Sequence, residues 1–328
     1  MKYARIIPFA VIAAVSTLAT ACGNQTQAVG NVGSVIVLTT DELWSAIGDS
    51  VLAALEPPIF TVRDERTFEV THMAPSNPRW TEMRNFRQVL VMGAADDAWV
   101  RPALGGDAAA GSIVQARNVW ARNQFVTAVV LPESSAADAA LEAVPAVAAA
   151  IDSSFRAYAQ QRMYMSGIDS VLADSLRAAA GYSLQLPNVY EQIARESGVA
   201  LFQNSTSIGG ELVRSVLVAS RDGVLQLDEA AVLEWRDSVA ASEYRPPQET
   251  RRETVLSAPV GAGGVEVQGV WRGTDTSWPT AGPFIARAVP CAGQNRTYLI
   301  DVWLFAPSRP KYEYMIQLQT ILGTFDCA

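Results

Sequence analysis

Two rhythms alternate along this chain: short β-branched runs bounded by turn residues, and longer stretches with an apolar residue every three or four positions. Ser34–Leu38 (SVIVL) predicts a buried strand. Thr39, with Glu42 three residues on, fits a capping box. Leu43, Ile47, Val51 and Leu55 then repeat every four residues until Pro57-Pro58 stops the helix. Residues 59–63 and 68–72 predict short strands, 74–79 a loop, and 88–92 and 125–131 two more strands. The longest amphipathic stretch covers 135–164, with Leu141, Val144, Val147, Ile151, Phe155 and Tyr158 on one face and a capping signature at Ser135. Pro145 is expected to kink or divide it. A second helix over 169–180 ends at Gly181, a left-handed cap.

Beyond 184–187 the pattern predicts a helix over 188–197, strands over 199–203 and 213–220, and a helix capped by Asp228 with Val232, Trp235 and Val239 inward. Pro246-Pro247 breaks the chain and 261–264 is a Gly-rich turn. Strands over 265–271, 284–289 and 297–305 follow. A last helix sets Tyr312, Met315, Leu318, Leu322 and Phe325 on one side, with Pro310 near its first turn. The expectation is α+β: two βα-containing halves, 34–181 and 182–328, with mainly antiparallel sheet covered by helices. Whether they are two domains or one continuous sheet is open at this level.

Residues 1–21 have the three parts of a secretory signal: Lys2 and Arg5, an apolar run over 6–18, and small residues ending at Ala21. The run is shorter than the about 20 residues that span a bilayer. Cys22 follows Leu18-Ala19-Thr20-Ala21, which reads as a lipoprotein cleavage and acylation site. Two or three acyl chains there would anchor the protein stably. An ordinary signal peptide cut near Ala21 is the competing reading. Residues 22–33 are polar and Gly-rich and are expected to be a flexible tether.

Cleavage after residue 21 of 328 leaves 307, enough for a large core, and moves the formal charge from -8 to -10. A pI near 4.9 argues against nucleic acid and against electrostatic adhesion to anionic lipid. The remaining cysteines, Cys291 and Cys327, form an even pair in an oxidising compartment and point to a disulfide, with two buried thiols as the alternative.

Several short segments together resemble a family of bacterial envelope lipoproteins, domain of unknown function 4837. In the first half they are Trp44, Ile47-Gly48-Asp49, Glu56-Pro57 to Phe60, Arg84-Asn85 and Trp120-Ala121. In the second they are Arg236-Asp237, Gly269-Val270-Trp271, Gly282-Pro283-Phe284, and Phe305-Ala306-Pro307 followed by Lys311. Val270 departs from the usual Leu, and Thr280-Ala281 stand where the family has a Gly before Gly-Pro-Phe. The resemblance implies location and a shared fold over nearly the whole chain after the leader, and it names no substrate.

Chemistry is sparse. The single histidine, His72, excludes two-His zinc signatures and reads as structural or surface. No nucleophile elbow or P-loop stands in a fitting setting, so no catalytic residue, metal or cofactor is expected. Asp96-Asp97, Asp222 and Asp228-Glu229 sit in turns and caps, with Asp222-Gly223 read as a hairpin turn. A cationic and aromatic cluster is the better candidate: Trp271, Arg272, Trp278 and Phe284 around a Gly/Pro-rich loop, with Arg117, Trp120 and Arg122 before a strand. Trp and Arg together suit a sugar face or an extended peptide, while the competing reading makes the aromatics plugs of the sheet edge or of the seam between the halves. These features imply a lipid-anchored envelope protein, outer membrane favoured over inner. Its role is non-catalytic binding of a protein, glycan or apolar ligand, or envelope maintenance. The alternatives are an envelope hydrolase using a carboxylate pair and a carrier of an apolar ligand.

Overall fold

A computed structural model describes residues 25–59, 61–196, 198–207, 211–261 and 263–328. Ala21 and Cys22 lie outside the described residues. Strand β1 (Ser34–Leu38) leads into helix α1 (Asp41–Leu55), which crosses to β2 (Glu69–Met73). Strands β3 (Gln88–Gly93), β4 (Ile113–Arg117) and β5 (Phe125–Val130) precede the 28-residue helix α2 (Ala136–Met163). The first sheet runs β2-β1-β3-β5-β4; all its pairs are parallel except β4 on β5.

This half departs from the expected antiparallel arrangement because its strands bury both faces. Val35, Val37, Leu90 and Met92 meet α1 and α2, while Ile36, Leu38, Val89 and Val91 pack under the short helices Trp80–Met83 and Arg101–Leu104. Continuous apolar strands joined by a helical crossover are what a parallel sheet requires. Across the whole chain antiparallel pairing still predominates, so the class is α+β.

The second half adds α3 (Ser170–Ala180), β6 (Glu191–Glu196), β7 (Val199–Thr206), β8 (Leu212–Asp222), α4 (Glu229–Glu243), β9 (Gln248–Thr250), β10 (Leu256–Val260), β11 (Gly264–Gly273), β12 (Ala281–Cys291), β13 (Arg296–Phe305) and α5 (Tyr312–Gly323). Its eight-stranded antiparallel sheet runs β9-β11-β12-β13-β8-β7-β6, with β10 also on β11. One face packs on α3 and α5 through Phe202, Val216, Ile300, Val302 and Leu304. The other packs on α4 through Leu217, Val267, Trp271, Phe284 and Trp303.

Helix α5 is apolar on two sides because it lies between the halves. Leu318, Ile321 and Leu322 join the second core, while Ile316 and Tyr312 join the first. The Tyr312 ring stacks on Phe155 at 5.5 Å and its hydroxyl donates to Asp152. Arg156 donates to the same hydroxyl at 3.0 Å. Burial, with the Asp152 bond behind it, pushes the phenol up to about 12. Cys291 and Cys327 are joined by a disulfide that ties the C-terminus to the end of β12.

Several local expectations change. Thr40, not Thr39, caps α1 by accepting from the Leu43 N–H at 3.2 Å. Helix α2 continues through Pro145, and Ser135 makes no side-chain cap. Within the span 188–197 expected to be helical, Glu191–Glu196 form β6, an edge strand that pairs with β7 on one side and whose Ile193 is 54% exposed. Tertiary pairing overrides helix propensity there. Asp222-Gly223 is not a hairpin: Gly223 donates to Asn295 O at 2.7 Å and the chain runs on to α4, where Asp228 caps as expected. The described part of the expected tether, residues 25–33, is also docked. Ala28 donates to Arg122 O and Arg122 to Thr26 O, both at 2.9 Å, and Ala28 is buried.

Candidate functional site

The β11–β12 connection is held at both ends before it presents anything. Gly273 donates to Thr280 O at 2.8 Å, closing the loop's neck. A Cβ on Gly273 would meet Thr280 Oγ1 at 2.3 Å, so a residue without one permits that closure. Asp275 accepts from the Ser277 N–H at 2.9 Å and from its hydroxyl at 2.6 Å. Those two bonds hold its carboxyl below the ordinary value. The fixed loop lifts Trp278 into solvent at 65% exposure.

Under Trp278 lies a groove of about 970 Å³. Its lining includes Arg272, Glu249 and Arg251 from the sheet edge, Lys311 from the approach to α5, and Arg63 from the first half. Glu249 faces Arg272 in the β9–β11 register, and both Nε and Nη2 of the arginine donate to its Oε2, at 3.1 and 2.9 Å. Arg251 donates to Glu253 at 2.9 Å. Glu253 lies below the ordinary carboxylate range, first through its backbone hydrogen bond and then through Arg251. Lys311 spans the halves: its ammonium pairs with Glu65, and its N–H donates to the other Glu65 oxygen at 2.9 Å. The groove thus mixes ion pairs with apolar groups, Val62, Phe305 and Pro307 among them, and carries Trp278 as an exposed aromatic plate at its rim.

Only part of the expected cluster meets here. Arg272 and Trp278 line the groove. Trp271 and Phe284 are 2% and 1% exposed and belong to the core under α4, as the competing reading of plugs anticipates. Trp120 and Arg122 sit on the turn before β5 instead. Trp120 packs edge-on to Trp80 at 5.3 Å, and Arg122 is exposed with its backbone paired to the N-terminal segment. Glu249, Arg251, Glu253 and Arg63 escape sequence reading, and Lys311 enters it only as a family-typical residue, although the charge-dense run Glu249–Glu253 after Pro246-Pro247 marks the place in the sequence. His72 stacks on Trp44 at 4.5 Å with its Nε2 3.1 Å from Thr39 O, a structural role. Among the described residues no group of three His, Cys, Asp or Glu is placed to hold a metal ion.

The family-typical segments of the second half divide between packing and the groove: Phe305, Pro307 and Lys311 line the groove, while Arg236, Gly269, Gly282 and Phe284 are buried in packing. The Arg236 guanidinium lies 4.3 Å from the Phe284 ring centre. A Cβ on Gly269 would meet that ring at 2.8 Å, and one on Gly282 would meet Leu304 O at 1.8 Å. Arg236, Phe284 and Gly269 thus pack together, and Gly282 lets its strand close on Leu304 beside them. Residues 170–324 match the family described as Domain of unknown function (DUF4837).

Residues 28–164 match a different one, Domain of unknown function (DUF8532), and this range holds Trp44, Gly48, Arg84-Asn85 and Trp120. The DUF4837 likeness therefore stands over the second half, and the first-half segments fall within the other family. No curated protein matches the chain. Solved structures resemble it weakly. The Ran-binding protein Mog1p of Saccharomyces cerevisiae shares 11% identity, 45% of this chain and 90% of its own, at a TM-score of 0.32. LpqN of Mycobacterium tuberculosis, involved in cell envelope biogenesis, shares 12%, 44% and 78%, at 0.27. Cyanobacterial PsbP from Synechocystis sp. PCC 6803 shares 16%, 45% and 87%, at 0.30. At these scores the likenesses carry no argument about function.

Proposed function

We propose that this DUF4837-containing chain is a non-catalytic binding module of the cell envelope, held to a membrane through acylated Cys22 and taking a glycan in the groove under Trp278. The exposed Trp278 plate above a floor that combines ion-paired and apolar groups is the observation that carries the reading. An indole face stacks on a sugar ring, while guanidinium and carboxylate groups bond its hydroxyls. A fixed loop also lowers the ordering cost of binding. The apolar-carrier reading has less support, because Trp271 and Phe284 fill the space between sheet and α4 and the groove's apolar groups are interspersed with the Arg272–Glu249 and Lys311–Glu65 pairs. So does the hydrolase reading: a general acid needs a raised carboxyl, whereas Glu253 and Asp275 shift downward and Glu249 is paired with Arg272. No helix among the described residues is long and apolar enough to cross a membrane, which is compatible with a lipid anchor.

Calorimetric titration of the full chain with cell-wall oligosaccharides tests the groove. Trp278→Ala is expected to weaken binding at least about tenfold, a change of about 1.4 kcal/mol, with the melting temperature unchanged. Affinity equal to wild type would remove the groove from the proposal. Palmitate labelling should mark wild type and not Cys22→Ser; equal labelling of both would sink the anchor.

A further inference from the structure

A second pocket, of about 350 Å³, opens on the first half where the turn before β5, the end of α2 and the docked N-terminal segment meet. Three arginines line it, Arg87, Arg117 and Arg162, with Asn118, Asn123 and Tyr158, and no carboxylate is among its lining residues. That composition stands out in a chain of net charge -8.

Two of the arginines, Arg87 and Arg117, are held by neutral groups. Arg87 donates weakly to Asn123 O at 3.3 Å and Ala28 O at 3.5 Å and lies over the Tyr158 ring at 4.6 Å. Its Nε is buried with no hydrogen-bond partner. Arg117 lies over the Phe125 ring at 4.8 Å and pairs with no carboxylate among the described residues. One carboxylate neighbours the cluster from outside the pocket, Glu313, which lies 3.3 Å from Arg162 and also feels the charge of Arg87. Three positive charges less that carboxylate, and less the roughly half charge at the C-terminus of α2, leave a surplus of about 1.5. A phosphomonoester carries about -1.5 to -2 at neutral pH and offers three acceptor oxygens to forked guanidinium donors. The asparagine amides add uncharged donors. Asn118 and Asn123 are held on left-handed turns, φ 57° and 60°, with the Asn123 N–H donating to Asn118 Oδ1 at 2.7 Å.

We infer that the Arg87–Arg117–Arg162 pocket binds a phosphate group, presented either by a soluble phosphomonoester or by a phospholipid headgroup. The pocket stands without the glycan groove. Its headgroup arm alone rests on the anchor reading: Gln27 lines the pocket and lies five residues from Cys22, a reach of at most about 18 Å of extended chain.

The test uses the full chain carrying Cys22→Ser, so that no lipid is attached through that thiol. It is titrated at 0.15 M salt with glycerol phosphate, and sedimented with phosphatidylcholine vesicles with and without phosphatidic acid. Saturable one-to-one binding is expected in at least one arm. Arg117→Gln and Arg162→Gln should each weaken it at least about tenfold, while Arg101→Gln, which removes an exposed charge elsewhere, should change it less than about twofold. Arg117 is exposed, so its variant keeps the test alive should the Arg162 variant misfold. Glycerol phosphate binding alone assigns a soluble ligand, and binding only to phosphatidic acid vesicles assigns a headgroup. Absence of binding in both arms, equal losses in all three variants, or displacement by chloride at that salt overturns the inference. An unlabelled Cys22 in cells would remove the membrane anchor while leaving the solution result intact.

Discussion

Arg236 carries its charge at zero exposure, and everything around it answers that cost. Asp301 lies 3.3 Å away, Gln248 accepts from the guanidinium at 2.6 Å, and Phe284 offers its ring face. Asp301 in turn accepts from Tyr244 at 2.7 Å, whose phenol is raised well above its ordinary range by burial. Removing one member of a buried pair strands the other. Asp301→Asn should therefore cost about 3 to 5 kcal/mol in urea unfolding at neutral pH, far more than an exposed pair such as Arg177–Asp326. At this scale the sequence was half legible. The pieces Arg236-Asp237, Gly269-Val270-Trp271 and Gly282-Pro283-Phe284 were visible, but that they interlock in the core, leaving Trp278 as the exposed ring, depends on strand register.

Among the elements, α5 has the most to satisfy because it is buried on two sides. Glu313 sits in that seam, and burial raises its carboxyl above the ordinary 4.5 even though Arg162, Arg214 and Arg87 pull it down. A carboxyl raised on folding holds its proton more tightly in the native state. Its contribution is thus present at low pH and falls as pH rises from about 4.5 through the raised value. Glu313→Gln should remove that slope. Its stability relative to wild type is expected to rise between pH 4 and 7 in denaturant titrations, and a constant offset would contradict the assignment. Periodicity exposed this helix but could not show its second partner. The same limit explains β6, where residues with helical propensity become an edge strand because β7 offers an unpaired ladder.

For the whole molecule, the disulfide and the seam decide how the ends are held. Cys291 and Cys327 are 36 residues apart and their Cα atoms 5.9 Å apart. Closing such a loop in the unfolded chain is worth about 3 to 4 kcal/mol in the chain-entropy model. The double variant Cys291→Ala with Cys327→Ala should lose about that much in equilibrium unfolding under non-reducing conditions. What the sequence determined by itself is local. The apolar runs fixed most strands and helices, the even cysteines their bridge, Asp228 and Gly181 their caps, and the leader pattern set the expectation at Cys22. Tertiary structure alone decided that the first sheet is largely parallel, that residues 25–33 dock rather than hang free, and that Arg87, Arg117 and Arg162 share one pocket. Those outcomes depend on partners tens of residues distant, whose pairing energy is absent from any local window.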